Sequence, residues 1–271
     1  MKSRLLVAAF GIPLVVILLL LPAIALAIMV CAISVLSVYE LFHAVKADKH
    51  LLALALCALS ALGIQIAAYF QLESAYIAGG LFLFLIILFA LWVAYHEREI
   101  AYGFSHFGIA LFSGIVIPLC LSSLIMLRCA ENGVFLIFIP IGTAFIGDAG
   151  ALFSGMAFGR HKLAPKTSPK KTVEGMLGAI VSSSLFMVLY CLVLRAAFDL
   201  QANIIHMGLI GAVCGLLAQL GDLAFSLIKR EFGIKDYGSL LPGHGGALDR
   251  FDSMITVAPA VLLLTSMIRP F

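Results

Sequence analysis

The sequence predicts an all-α, polytopic membrane protein with about nine transmembrane helices and a polar site at its cytoplasmic face. Hydrophobic residues make up 63% of the 271-residue chain, charged residues make up 11%, and the mean hydropathy is +1.15. A soluble domain carries roughly a quarter charged residues, so this composition excludes a soluble globular protein. Many apolar runs reach the length of about 20 residues that crosses a bilayer as a helix. A membrane β-barrel is excluded, because segments of about ten residues with alternating polarity do not recur.

Proline, glycine and charged clusters divide the chain into predicted spans. Their approximate limits are 5–21, 23–43, 51–70, 76–95, 105–127, 133–157, 174–197, 204–228 and 253–269. The first run imitates a secretory signal peptide, but its apolar core is too long, so we interpret it as a transmembrane helix. Pro22 separates it from the second span, since proline interrupts a helix. We expect one integral-membrane domain over residues 1–271, with N-terminal spans at about 5–127 and C-terminal, site-bearing spans at about 133–269.

The basic residues predict the orientation, because cytoplasmic loops are enriched in lysine and arginine. With nine spans, four basic clusters fall on one side, namely those within 2–4, 46–49, 160–171 and 229–235. The opposite connections are nearly free of lysine. We therefore expect an integral protein of the cytoplasmic (inner) membrane of a bacterium, with its N-terminus and its polar site facing the cytoplasm.

Several common kinds of site are unsupported. The six cysteines lie mostly in apolar runs without C-x-x-C spacing, which is typical of packing residues and not of disulfides or metal ligands. Apart from His244, the histidines are scattered without metal-ligand spacing. The chain has no Walker-type segment and no G-x-S-x-G elbow, which argues against P-loop nucleotide binding and serine hydrolysis. The net charge of +3 is modest, and we expect no nucleic-acid partner.

Charge is concentrated in residues 226–252, "SLIKREFGIKDYGSLLPGHGGALDRFD", and in the helix that leads into them. Asp222, Ser226, Lys229 and Arg230 stand at i, i+4, i+7 and i+8, so a helix places them on one stripe. An aspartate embedded in a membrane usually faces a wet cavity or a partner. Asp222 is therefore a candidate functional residue, and the alternative is a purely structural ion pair with Lys229.

Two further aspartates follow the glycine-rich part of this segment. Asp249 and Asp252 are three residues apart, hence on one helical face, where they repel each other unless a cation lies between them. Mg²⁺ prefers a few carboxylates plus phosphate oxygens. The glycines around His244 allow a backbone to approach a ligand closely. The alternative is that the aspartates only cap and complement a helix N-terminus.

Span six adds Asp148, which lies among glycines and lacks a partner in its own span. Those glycines are typical of close helix packing.

Lys170 and Lys171 precede span seven, where they either contact a phosphate or anchor the helix at the membrane surface. His244 is a candidate base, a candidate hydrogen-bond donor to a phosphate, or a turn residue. Acids for a divalent metal and basic groups for phosphates indicate phosphoryl or nucleotidyl transfer between a lipid and a water-soluble phosphate compound.

The charged segment resembles the signature of the phosphatidate cytidylyltransferase (CDP-diacylglycerol synthase) family. The matching positions are Ser226, Lys229, Arg230, Lys235, Asp236, Gly238, Leu241, Pro242, His244, Gly245, Gly246, Asp249, Arg250 and Asp252. The upstream stretch "GDAGALFSGMAFGRHKLAPKTSPKKTVEG" also looks like a cytoplasmic segment of that family. The resemblance implies synthesis of CDP-diacylglycerol and pyrophosphate from CTP and phosphatidic acid, with Mg²⁺, in phospholipid biosynthesis. A second, monovalent ion stays open, and homodimerisation is an expectation from family analogy alone.

The resemblance also implies roles for individual residues. The implied catalytic residues are Asp222, Lys229, Arg230, His244 and Asp249. The implied substrate-binding residues are Asp148, Lys170, Lys171, Ser226, Lys235, Asp236, Gly245, Gly246 and Arg250. The implied Mg²⁺ ligands are Asp222, Asp249 and Asp252.

Two alternative functions compete with this one. An ion-coupled secondary transporter would also contain buried acids, but its site should lie at mid-membrane between repeated halves, which this chain lacks. A CTP-dependent membrane lipid enzyme of the polyprenol kinase kind would share the nucleotide and the setting. The long signature favours cytidylyl transfer over both.

Overall fold

A computed structural model describes residues 19–238 and 245–268 of the chain. The helices of the N-terminal half are α1 (Ala23–Ala44), α2 (Leu51–Tyr69), α3 (Ser74–Glu97), α4 (Phe104–Leu111), a π-helical turn (Phe112–Val116) and α5 (Ile117–Cys129). The C-terminal half contains α6 (Gly133–Leu136), α7 (Phe138–Phe158), β1 (Lys162–Ala164), β2 (Ser168–Thr172), α8 (Val173–Phe198), α9 (Ile204–Glu231) and α10 (Leu248–Ile268).

Eight helices in the described ranges are long and apolar enough to cross a membrane, counting α4 with α5 and α6 with α7 as single spans. Each coincides with a predicted span to within a few residues, which confirms an all-α, polytopic membrane protein. Most of the predicted first span, 5–21, lies outside the described residues. The largest shift concerns the last span, because α10 begins at Leu248 and not near 253. Asp249 and Asp252 therefore belong to the first turns of a helix.

The segment expected as a basic loop after span six is partly a β-hairpin. Strands β1 and β2 pair antiparallel, with Lys162 opposite Thr172 and Ala164 opposite Ser168. Strands of three and five residues are too short to show a periodic apolar pattern. The hairpin is the one departure from the expected all-helical secondary structure among the described residues.

The described residues fall into two compact units. The first contains those up to Glu131 and from Phe232 to Arg250. In its core, the Gln65 amide nitrogen of α2 donates to Ser34 Oγ of α1 at 2.9 Å and to the Pro118 carbonyl of α5 at 2.8 Å. These two bonds satisfy a fully buried amide donor and connect three helices.

The second unit contains residues from Asn132 to Glu231 and the described residues from Phe251 onward. Its helices α7, α8 and α9 pack at very short range through small residues. A methyl group built on Gly147 would lie 2.7 Å from Ser183 Oγ, and one built on Gly215 would lie 2.7 Å from the Ala179 carbonyl oxygen. The contact at Gly147 bears out the close-packing role predicted for the glycines of span six. The expectation of one domain over the whole chain stays a prediction.

The cysteines behave as the sequence predicts. All six are free, and Cys57, Cys191 and Cys214 are buried.

Candidate active site

Three carboxylates from three helices lie in electrostatic range of one another in the second unit. Asp148 comes from α7, Asp222 from α9 and Asp252 from α10, and Asp252 interacts electrostatically with both of the others. The close approach of α9 to α10 explains this, because a methyl group on Gly221 would lie only 3.0 Å from the Asp252 carbonyl oxygen. Three acids in membrane-spanning helices are costly unless they face water, a cation or a partner. We call this group the acidic cluster.

Each acid of the cluster has a neutral hydrogen-bond donor. The Gln219 amide nitrogen donates to Asp148 Oδ1 at 3.0 Å, and Ser226 Oγ donates to Asp222 Oδ1 at 3.2 Å. The backbone N–H of Ser253 donates to Asp252 Oδ1 at 2.7 Å. These bonds fix one oxygen of each carboxylate in a definite direction.

A lysine from the hairpin neutralises the centre of the cluster. Lys171 Nζ lies 2.6 Å from Asp222 Oδ2 and 3.5 Å from the Gln219 carbonyl oxygen. The ion pair that the structure gives Asp222 is thus with Lys171, whereas the sequence suggested Lys229 as the structural alternative. Lys229 is buried and interacts electrostatically with Asp252. Two lysines against three carboxylates leave an excess of formal negative charge.

The hairpin holds Lys171 in place, and Glu174 holds the base of the hairpin. The Glu174 carboxylate accepts the backbone N–H of Arg160 at 3.1 Å, and its Oε1 lies 2.6 Å from His161 Nδ1. Thr172 caps α8, since its Oγ1 accepts the Gly175 N–H at 3.1 Å. Lys171 is therefore fixed between a paired strand and a capped helix.

Removal of the Lys171 ammonium should destabilise the second unit. In the Lys171→Met variant, Asp222 loses its ion pair, and we expect the free energy of unfolding to fall by about 1–2 kcal/mol, because the pair is only partly exposed. Lys170→Met is the matched control, since Lys170 is exposed in the same strand. Thermal unfolding in detergent should show a lower Tm for the first variant only. Equal Tm values would contradict a stabilising pair.

In the first unit, the Asp249 carboxylate organises the backbone around it. Asp249 Oδ2 accepts the N–H of Tyr237 at 2.8 Å and the N–H of Gly246 at 3.0 Å. Gly245 has a φ of +83°, a conformation that glycine adopts without strain. Both donors precede α10, which begins at Leu248, so the roles of Asp249 as a helix cap and as a metal ligand both stay predictions.

The remaining residues from the predicted site are distributed as follows. Lys170, Lys235, Asp236 and Arg250 are exposed. Arg230 is also exposed, and its Nε lies 3.4 Å from the Thr167 carbonyl oxygen in the turn of the hairpin. His244, Leu241 and Pro242 lie outside the described residues. The structure thus brings together Asp148, Lys171, Asp222, Ser226, Lys229 and Asp252 within the second unit.

The donor set of the acidic cluster fits Mg²⁺. Among the residues that the structure describes, no three His, Cys, Asp or Glu side chains are arranged to hold a metal by themselves. Mg²⁺ does not require such a cage, because it keeps several waters and takes one or two carboxylates plus phosphate oxygens. Within this unit, Asp222 and Asp252 would supply carboxylate oxygens, and water and phosphate would take further positions.

Sequence reasoning missed three residues that shape these groups, namely Gln219, Glu174 and Glu40, whose carboxylate accepts the backbone N–H groups of Ala247 and Leu248. Gln219 stands one turn before Asp222 on α9, so the stripe that identified Asp222 could also have included it. Glu174 and Glu40 act through backbone N–H groups that are distant in sequence. No local pattern indicates such contacts.

A family model described as the cytidylyltransferase family matches residues 2–268. The chain belongs to the cytidylyltransferase family. Its membership covers both compact units and every residue of the acidic cluster. The family match therefore confirms the resemblance drawn from the charged segment.

Curated relatives of this cytidylyltransferase-family chain carry the name phosphatidate cytidylyltransferase. One from Staphylococcus epidermidis is 46% identical over 120 residues, covering 44% of this chain and 45% of the relative. One from Bacillus subtilis is 37% identical over 171 residues, covering 61% of each. One from Rickettsia prowazekii is 41% identical over 147 residues, covering 54% of this chain and 64% of the relative. The chain thus spans about half to two thirds of the length of these bacterial relatives.

Proposed function

We propose that this protein is a phosphatidate cytidylyltransferase, which converts CTP and phosphatidic acid into CDP-diacylglycerol and pyrophosphate in phospholipid biosynthesis. The observation that carries the proposal is the acidic cluster with its two lysines, in a chain of the cytidylyltransferase family. Carboxylates next to ammonium groups can bind a divalent cation and the phosphates that it bridges. The names of the curated relatives support the choice of CTP and phosphatidate as substrates.

In the proposed reaction, a phosphate oxygen of phosphatidate attacks the α-phosphorus of CTP in line with the departing pyrophosphate. The P–O bond to the β-phosphate breaks as the new P–O bond forms, so one phosphoanhydride replaces another. A phosphate monoester has a second pKa of about 6, so the attacking oxygen is already largely ionised near neutral pH. The site therefore needs no strong general base, and we assign His244 a positioning role.

The protein's contribution is positioning and charge neutralisation. Asp222 and Asp249 would bind Mg²⁺, with Asp252 as a third ligand; bound Mg²⁺ supplies charge neutralisation at the phosphate oxygens. Lys229, Arg230 and Lys235 would bind phosphates of the lipid and of CTP. Asp148, Lys170 and Lys171 would line the CTP side, and Ser226 would orient a phosphate oxygen. Asp236, Gly245, Gly246 and Arg250 would complete the substrate site.

We also propose that the site faces the cytoplasm from the inner membrane. If each described span crosses once, the connections that follow Ala44, Phe158 and Glu231 begin on the same side of the membrane. These connections contain most of the lysines in the chain, which favours the cytoplasmic side. Cysteine-directed labelling from either side of inverted and right-side-out vesicles would test this at exposed positions such as Lys166.

The deciding experiment uses the purified full chain in detergent. With Mg²⁺, labelled CTP and phosphatidate, we expect CDP-lipid and pyrophosphate in equal amounts, and EDTA should stop both. Reactions without phosphatidate should release no pyrophosphate. Phosphorylation of a polyprenol with release of CDP, or ion flux in proteoliposomes without any CDP-lipid, would contradict the proposal and favour one of the alternative functions.

A further inference from the structure

Glu40 lies near the end of α1, and its carboxylate binds the backbone at the start of α10. The Ala247 N–H donates to Glu40 Oε1 and the Leu248 N–H donates to Oε2, each at 2.8 Å. The first N–H groups of a helix have no acceptor within the helix. Here a carboxylate more than 200 residues away in sequence accepts two of them. Only 4% of Glu40 is exposed, so water does not compete effectively for these bonds.

Two glycines of the charged segment lie against the same carboxylate. A methyl group built on Gly246 would be 2.5 Å from both Glu40 oxygens, and one on Gly238 would be 2.6 Å from Oε1. Any other residue at either position would push the carboxylate away or shift the backbone. The sequence suggested that the glycines around His244, Gly246 among them, allow a ligand to approach, and in the structure Gly246 lies against Glu40.

Asp249 and Glu40 accept hydrogen bonds from three consecutive backbone N–H groups of this segment. The Gly246 N–H donates to Asp249 Oδ2, and the next two N–H groups, those of Ala247 and Leu248, donate to Glu40. Asp249 follows Leu248 directly. The position of the Asp249 side chain is therefore set on one side by its own hydrogen bonds and on the other by Glu40.

We propose that Glu40 is a positioning residue of the cytidylyltransferase reaction, because it fixes the backbone of residues 246–248 and with it the Asp249 carboxylate. The claim that Glu40 affects catalysis rests on the proposed function. The claim that Glu40 holds the backbone of residues 246–248 does not. In this role Glu40 affects the reaction through Asp249, and not by contact with substrate or metal. A misplacement of about 1 Å at a reacting centre can lower a rate about a hundredfold.

Truncation of Glu40 should leave the fold intact. A cavity of about 750 Å³ adjoins Glu40 and is also lined by Tyr39, His43, Lys46 and Asp236. In the Glu40→Ala variant, water can therefore enter the space of the lost carboxylate, since the cavity is large and polar enough to hold it. Glu40→Gln keeps the size of the side chain and one carbonyl acceptor. Ser37→Ala is the matched control, because Ser37 is buried on the same helix. Among the described residues, its hydroxyl forms no hydrogen bond with the backbone of residues 246–248.

The contact is tested first by amide hydrogen exchange without substrate or metal. We expect exchange at Ala247 and Leu248 to accelerate about tenfold or more in Glu40→Ala, less in Glu40→Gln, and not at all in Ser37→Ala. Unchanged exchange in both Glu40 variants would overturn the proposal. This readout does not depend on what the protein catalyses.

The consequence for catalysis is tested by steady-state kinetics. We expect kcat to fall about a hundredfold in Glu40→Ala and the Mg²⁺ concentration for half-maximal rate to rise, with partial recovery of both in Glu40→Gln. KM for CTP should change little, because in this proposal Glu40 acts through Asp249 and not on CTP. Faster exchange together with wild-type kcat and Mg²⁺ dependence would make Glu40 a purely structural residue and overturn its positioning role.

A double-mutant cycle with Gly246→Ala separates this contact from general damage. Gly246→Ala alone should impair turnover, because its methyl group displaces the Glu40 carboxylate. In the Glu40→Ala background the same methyl group has room, so the double variant should be no worse than Glu40→Ala. Additive losses would overturn the proposal.

The two proposals fail in different ways. A wild-type protein that forms no CDP-lipid would end the proposed function and the catalytic part of this inference together. The exchange experiment would still decide whether Glu40 holds residues 246–248.

Discussion

The Asp222→Asn variant should lose turnover by about a hundred- to a thousandfold while its fold is retained. Asparagine keeps the shape of the side chain and can still accept the Ser226 hydroxyl through its carbonyl oxygen. It removes the negative charge that faces Lys171 at 2.6 Å. A carboxamide binds Mg²⁺ far more weakly than a carboxylate does, so the loss should appear in kcat and in the Mg²⁺ dependence.

Glu231→Gln is the matched control for this result. It removes one carboxylate from the last turn of the same helix, where Glu231 is exposed and lies outside the acidic cluster. Its turnover should equal that of the wild type. A near-normal rate for Asp222→Asn would show that Asp222 is not a metal ligand. Equal losses in both variants would indicate a general effect of charge on α9.

The second large effect should come from Asp249, where two substitutions separate two roles. Asp249→Asn keeps an oxygen that can accept the N–H groups of Tyr237 and Gly246, so its stability should be close to wild type. Asp249→Ala loses both hydrogen bonds, and we expect its free energy of unfolding to fall by about 1–2 kcal/mol. If Asp249 binds Mg²⁺, both variants should lack activity although only the second is less stable.

Turnover of CTP and thermal unfolding in detergent, measured on the same samples, check this expectation. Asp199→Asn is the control, since Asp199 is exposed and its left-handed φ of 53° is readily adopted by asparagine. An active Asp249→Asn variant together with a destabilised Asp249→Ala variant would leave Asp249 as a structural residue only. The metal assignment would then move to Asp222 and Asp252.

The sequence was sufficient to predict the helices because membrane spans are defined by length and hydropathy. Pro22 marks the break before α1, and the charged residues at 46–49 and 160–171 mark two further connections. The start of α10 was placed too late, because Asp249, Arg250 and Asp252 make its first turns polar. The N–H groups at its start donate to Glu40, a residue from a distant part of the chain, so no local pattern marks where the helix begins.

The acidic cluster was only partly predictable. The stripe on α9 identified Asp222, Ser226 and Lys229, since they share one helical face. The stripe suggested Lys229 as the ion-pair partner of Asp222. In the structure the partner is Lys171, which comes from the hairpin and not from the same helix. The hairpin itself has strands too short to be recognised by periodicity. Contacts between elements far apart in sequence leave no local pattern, and Lys171, Glu174 and Glu40 all act through such contacts.

The ion pair between Lys171 and Asp222 has a thermodynamic consequence for ligand binding. The Lys171 ammonium group cannot fully neutralise a carboxylate and a phosphate at the same time. A carboxylate that has lost its ion pair with this ammonium group is a better ligand for a cation. If Asp222 binds Mg²⁺ as proposed, an anion that draws Lys171 away would raise the affinity of Asp222 for the cation, and by reciprocity the cation would raise the affinity for the anion. Nucleotide and metal should consequently load together, and either one alone should bind weakly.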